Sequence, residues 1–97
     1  MTGNMIKSFK CKETAKIWDI GDSRKFPADI IKRAIIKLSM LNRSATLHDL
    51  TVPPSNKLEK LSGKREGQYS IRINDQFRVC FRWIDSNSED VEIIDYH

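Results

Sequence analysis

The chain predicts an α+β domain: two N-terminal helices packed on one face of a curved, mainly antiparallel sheet of about four to five strands. Three observations carry this expectation. Apolar residues recur at helical spacing between residues 12 and 42, they alternate between residues 69 and 96, and a proline-bearing connector separates the two regimes. At 97 residues, with no internal repeat and no long linker, a single domain with one core is expected over residues 1–97.

The elements follow in chain order. Residues 5–11 read as a first strand, with Ile6 alternating against polar neighbours. Met5 offers an alternative start, which would make Met1, Thr2, Gly3 and Asn4 an N-terminal extension. Residues 12–20 read as a short helix stopped by Gly21, a favoured residue just past a helix end, with Trp18 facing inward. Phe26-Pro27 opens a second helix over 27–42, where Ile31, Ala34, Ile35, Leu38 and Leu41 form one apolar stripe and Lys32, Arg33 and Lys37 fall on the other side. Residues 45–50 add one more turn. Val52-Pro53-Pro54-Ser55-Asn56 is an extended connector, because proline disfavours helix and ladder pairing alike. Strands are then expected at 57–61, 69–74, 77–84 and 91–96.

The turn around Asn74-Asp75-Gln76 permits a parity argument. Tyr69, Ile71 and Ile73 are the apolar positions of one strand, and Phe77, Val79, Phe81 and Trp83 those of the next. Both odd sets share a face only if paired residues have an even sum, which selects a connection of three or five residues over two. Arg72, Arg78, Cys80 and Arg82 then share the opposite face. Buried guanidinium groups are costly unless paired, so this face is expected to be open or matched to an anion.

Composition narrows the function. The formal net charge is +4, and the segment 57–82 holds Lys57, Lys60, Lys64, Arg65, Arg72, Arg78 and Arg82 against Glu59, Glu66 and Asp75. Such a segment, with Gly63 and Gly67 supplying turns, suits a polyanion. No apolar run approaches a membrane span, and the first residues lack the pattern of a secretion signal, so no membrane contact and a cytoplasmic location are expected. Cys11 and Cys80 are too few for a disulfide scaffold and read as free thiols. No CxxC pair is present and His48 and His97 are far apart, so neither a metal nor another cofactor is expected.

At Lys57 to Arg72 the chain reads K-L-x-x-L-x-G-x-R-x-G-x-Y-S-I-R. F-R-V-x-F follows at Phe77 to Phe81, and Asp95-Tyr96-His97 ends the sequence. With the MIKSFK start at Met5 and the helix pair, these residues resemble the HigB branch of the RelE/ParE superfamily of bacterial toxins. The resemblance implies a RelE-like fold and a ribosome-dependent endoribonuclease that cuts mRNA in the 30S decoding site. It also implies neutralisation by a helix-turn-helix antitoxin of the HigA type. Arg78 falls on the family's sheet arginine, and Asp95, Tyr96 and His97 on its terminal site residues. Two positions depart: HigB proteins place a histidine where this chain has Glu59 and a lysine where it has Ser62.

The implied chemistry is attack of a 2′-OH on the neighbouring phosphate, which needs a base, cations for the developing phosphorane charge and an acid for the 5′-oxygen. His97 suits either proton role, since an imidazole titrates near neutrality. Tyr96 suits base stacking or proton transfer, and Glu59 suits a base or an orienting group for Arg78 or Lys57. Asp95 completes the catalytic set or pairs with a neighbouring arginine. Arg78 matches phosphate geometry, and Lys57, Lys60, Lys64, Arg65, Arg72 and Arg82 are the expected RNA contacts. Two other classes fit the basic segment. One is a ParE-like protein that inhibits a target such as gyrase without hydrolysis; the other is a non-catalytic nucleic-acid-binding module.

Overall fold

Residues 5–96 are described in the computed structural model; Met1–Asn4 and His97 lie outside the described residues. Helix α1 spans Lys12–Ile20 and ends where expected, with Gly21 at φ 71° donating its N–H back to the Ile17 carbonyl. Helix α2 spans Ala28–Arg43, with Pro27 as the residue before its first turn. Its Ile30, Ile31, Ala34, Leu38 and Leu41 are buried, and Trp18 of α1 packs partly buried against the same core. A 3-10 turn follows at Leu47–Thr51, closed by a reciprocal pair of hydrogen bonds between Thr46 and Asp49. The connector is not wholly extended: Pro54–Asn56 forms a further 3-10 turn, since proline is well tolerated at the start of one.

The sheet has four antiparallel strands in the order of the chain: β1 (Glu59–Lys60), β2 (Gln68–Arg72), β3 (Phe77–Ile84) and β4 (Asn87–Asp95). Parity between β2 and β3 is as the alternation requires, with Tyr69 opposite Phe81, Ile71 opposite Val79 and Arg72 opposite Arg78. Ile73 N–H donates to the Phe77 carbonyl, which leaves Asn74-Asp75-Gln76 as the turn. Ile71, Ile73, Val79, Phe81, Val91 and Ile93 are buried in one core with the stripe of α2 and with Ile17. Each such side chain contributes about 1.5–3 kcal/mol when fully removed from water.

The strand expected over 57–61 shortens to Glu59–Lys60, and two further strand expectations need correction. Strand β4 begins at Asn87, four residues before the expected Val91. Residues 85–90 contain no apolar side chain to alternate, yet Asp85 (φ 51°) and Ser86 (φ 66°) make a tight two-residue hairpin turn. Residues 5–11 do not form a continuous strand. They run parallel to the outer edge of β4 and touch it at two bridges, Ile6 with Ser88 and Phe9 with Val91. Between those bridges Asp90 takes a left-handed conformation (φ 52°), where the β3–β4 register also shifts by one residue. That bulge breaks the ladder on both sides of β4.

Candidate active site

The sheet face away from the helices carries the site. Register places Glu59 beside Ser70, Ser70 beside Cys80, and Cys80 beside Glu92 in one row; Arg72, Arg78 and Ile94 form the next. Side chains alternate along strands, so all of these residues start from one face.

Of the two outcomes expected for this face, open or matched to an anion, the second holds: Arg72, Arg78 and Arg82 each lie against a carboxylate. Arg78 is only 5% exposed. Its Nε donates to Ser70 Oγ (2.7 Å), and its Nη2 donates to the Lys57 carbonyl. Lys57 presents that carbonyl from a left-handed backbone (φ 45°) at the end of the 3-10 turn. The remaining neighbours of the guanidinium are far apart in the chain. Glu59 Oε1 lies 3.9 Å from Arg78 Nη2, and the Tyr96 ring lies 5.4 Å from the guanidinium carbon. Tyr96 closes the triangle by donating its hydroxyl to Glu59 Oε1 at 3.4 Å. A buried cation is thereby satisfied by hydrogen bonds, a half-exposed carboxylate and an aromatic face.

Asp95 and Tyr96 are held by the turn that precedes β3. Tyr96 N–H donates to the Gln76 carbonyl (2.6 Å), and Gln76 Nε2 donates to Asp95 Oδ2 (3.0 Å). Asp95 pairs in register with Phe77, one position away from the Arg78 row, so its side chain engages Gln76 rather than the guanidinium. Beside this cluster lies a cleft of about 380 Å³ lined by Glu59, Lys60, Leu61, Ser62, Arg65, Ile94, Asp95 and Tyr96. Ser62, where HigB proteins carry lysine, is thus on its wall.

The other expected cations are spread around this centre. Lys57, Lys60 and Lys64 are exposed, Lys60 on β1 and the other two on the loops that lead into and out of it. Arg65 reaches under the sheet face and donates to Glu92 Oε2 (3.1 Å) and Gln68 Oε1 (3.2 Å). Arg82 pairs with Asp90 at 3.3 Å. It passes close to Gly67 (φ 90°), where a Cβ would stand 3.1 Å from Arg82 Nη1. Arg72 pairs with Asp75 and lines a different hollow, outside the cleft. The two thiols stand apart from this chemistry: both are free, and burial pushes that of Cys80 up to about 11.

Ser70, Gln76 and Glu92 are the positioning residues that the sequence reading passed over. Ser70 shares even parity with Arg72 and Arg78, so the strand alternation already put its hydroxyl on the guanidinium face. Gln76 and Glu92 act by tertiary contact and carry no comparable sign in the sequence.

Comparison with known proteins fits this architecture. The family model for the RelE-like toxin HigB of type II toxin–antitoxin systems matches residues 7–97. Toxin HigB-1 of Vibrio cholerae is 39% identical over 62 residues, a match that spans 64% of this chain and 65% of that relative. Endoribonuclease HigB of Proteus vulgaris is 30% identical over 93 residues, which span 96% of this chain and 100% of the relative. In fold, the chain is similar to one in the YoeB–YefM complex from Staphylococcus aureus. The TM-score is 0.61 at 18% identity, over 95% of this chain and 97% of that one.

Proposed function

The chain belongs to the HigB-like family of RelE-like toxins of type II toxin–antitoxin systems, and we propose from that premise that it is an endoribonuclease cutting mRNA in the decoding site of the ribosome. One observation carries the reading beyond the family: Arg78, Glu59 and Tyr96 converge at the wall of a cleft rimmed by Lys60 and Arg65. The attack of a 2′-OH on a phosphodiester needs a base and cations for the phosphorane charge, and a carboxylate beside fixed cations suits both needs.

In this mechanism Glu59 takes the proton of the 2′-OH as that oxygen attacks phosphorus. The 5′-oxygen leaves with a proton from the chain's terminal His97. The products are a 2′,3′-cyclic phosphate and a 5′-hydroxyl. Lys60 and Arg65 face the phosphorane charge from the cleft rim, while Arg78 holds Glu59 and Tyr96 in place from beneath and adds its own field. Glu59 occupies the position of a family histidine, and a carboxylate supported by Arg78 and Tyr96 supplies a base there.

The antitoxin partner that belongs with this family is, in this reading, a HigA-type helix-turn-helix protein. The cytoplasm, where translating ribosomes are, is the site of action. The test is primer extension on a translated reporter mRNA after induction, comparing the wild type with His97→Ala. Cuts inside the reading frame that disappear in the variant support the assignment. DNA damage without mRNA cleavage overturns it in favour of a ParE-like inhibitor of a protein target.

A further inference from the structure

A second cationic hollow lies outside the cleft. Arg33, Ile36, Lys37, Ser55, Arg72 and Ile73 line a space of about 310 Å³ between α2, the Pro54–Asn56 turn and the end of β2. Two of its three cations are held by groups from distant parts of the chain. Arg33 Nη1 donates to the Ile73 carbonyl at 3.3 Å. Lys37 Nζ donates to Asn56 Oδ1, and Asn56, fully buried, is itself fixed by a hydrogen bond from Nδ2 to the Leu50 carbonyl (3.1 Å). Arg72 pairs with Asp75, whose side chain is 97% exposed. Among the described residues this is the one ion pair made by the three cations. Burial, together with the charges of Arg33 and Arg72, holds the Lys37 ammonium below its usual pKa, as expected where positive charges crowd together.

We propose that this hollow binds a backbone phosphate of RNA, separately from the cleavage cleft; the inference rests on the reading of the chain as an RNA-cutting enzyme. Two guanidinium groups offer forked donors that match phosphate oxygens, Lys37 adds a point charge, and Ser55 adds a hydroxyl. The arrangement is preorganised, because Arg33 and Lys37 are already anchored to the fold. Its position favours RNA over an acidic protein segment. Arg72 of the hollow and Arg78, which lies against the cleft residues Glu59 and Tyr96, are direct partners in register across β2 and β3. A strand of RNA crossing that hairpin meets both.

The full chain is compared with Arg33→Gln and with Arg33→Gln/Lys37→Gln. Arg33 is exposed, so the single variant tests the hollow without disturbing the core. The probes are a labelled single-stranded RNA followed by anisotropy at several salt concentrations, inorganic phosphate followed by NMR of the arginine Nε–H resonances, and hexaglutamate. Removing two phosphate-facing cations is expected to reduce the slope of log K against log salt by about 1.4, at roughly 0.7 per contact. Phosphate is expected to shift the Arg33 and Arg72 resonances of the wild type. An unchanged slope with no response to phosphate overturns the proposal. So does a variant that binds RNA normally but loses hexaglutamate, which would make the hollow a protein-docking surface. If the wild type neither binds nor cuts RNA, the nuclease reading and this proposal fail together; a wild type that cuts RNA while slope and resonances stay unchanged overturns the proposal alone.

Discussion

The Tyr96 ring covers the guanidinium of Arg78 at 5.4 Å, so the last described residue of the chain closes over the most deeply buried arginine of the sheet. The contact joins the chain end to the centre of the site. It also separates the roles of two residues that the sequence names together as catalytic candidates.

For Tyr96 the consequence is a graded pair of substitutions. Tyr96→Phe keeps the ring over Arg78 and removes only the hydroxyl that donates to Glu59. It is expected to lower mRNA cleavage by about 2- to 10-fold, the loss of one hydrogen bond that orients the Glu59 base, with the melting temperature unchanged. Tyr96→Ala also uncovers the guanidinium, adding about 0.5–1 kcal/mol of lost stability. Primer extension and thermal melts on the two variants check the split.

For Arg78 the expected outcome is loss of stability together with loss of activity. Its replacement by alanine strands Ser70 Oγ and the Lys57 carbonyl without their donor. Buried groups left so cost about 1–3 kcal/mol. Arg78→Ala should therefore melt earlier, and its inactivity would not by itself prove a chemical role. Glu59→Gln is the cleaner test of chemistry. Glu59 is half exposed, so the folded state should tolerate the change while cleavage falls about 100-fold or more.

The turn between β3 and β4 offers a stabilising change. Asp85 and Ser86 both take positive φ, which costs a residue with a Cβ roughly 1–2 kcal/mol. Ser86→Gly should recover about 1 kcal/mol and raise the melting temperature by roughly 4–8 °C. Activity should be unaffected, because the turn lies at the far end of β3 from Arg78. Calorimetry beside a cleavage assay checks both statements.

The two thiols should differ in reactivity. Cys80 is fully buried and its thiol is pushed up to about 11 by that burial, whereas Cys11 is partly exposed and titrates below its usual value. For Cys11, burial acts upward but is outweighed by hydrogen bonds from the Thr14 and Glu13 backbone. Iodoacetamide at mildly alkaline pH should add one label to the folded chain and two after denaturation, by intact mass. The pH dependence has a definite sign. Between 9.0 and about 11 the folded chain keeps the Cys80 proton that the unfolded chain loses, so stability should fall as pH rises through that window.

Much of this fold was legible in residue order. The α2 stripe, Gly21 as a helix stop and the even-sum pairing of β2 with β3 all follow from local periodicity and sterics. The start of β4 was not legible, because residues 85–90 are polar and a turn of Asp and Ser gives a weaker signal than one of Asn and Gly. The basic segment was visible, but its partition was not. Alternation put Arg72, Arg78 and Arg82 on one face; only tertiary packing sends Arg78 under Tyr96, Arg72 towards α2 and Arg82 onto Asp90. His97, named from the sequence as a proton-transfer group, lies outside the described residues.

Residues 5–10 matter for more than the count of core side chains. The outer rim of β4 donates and accepts through Ser88 and Val91 to this segment, and through Ile93 to Thr14 of α1. Without that cover a nine-residue strand would present unsatisfied amides to solvent and to other molecules. A chain shortened past Ser8 should therefore self-associate edge to edge before it loses its helices, which makes the segment at residues 5–10 a guard against aggregation.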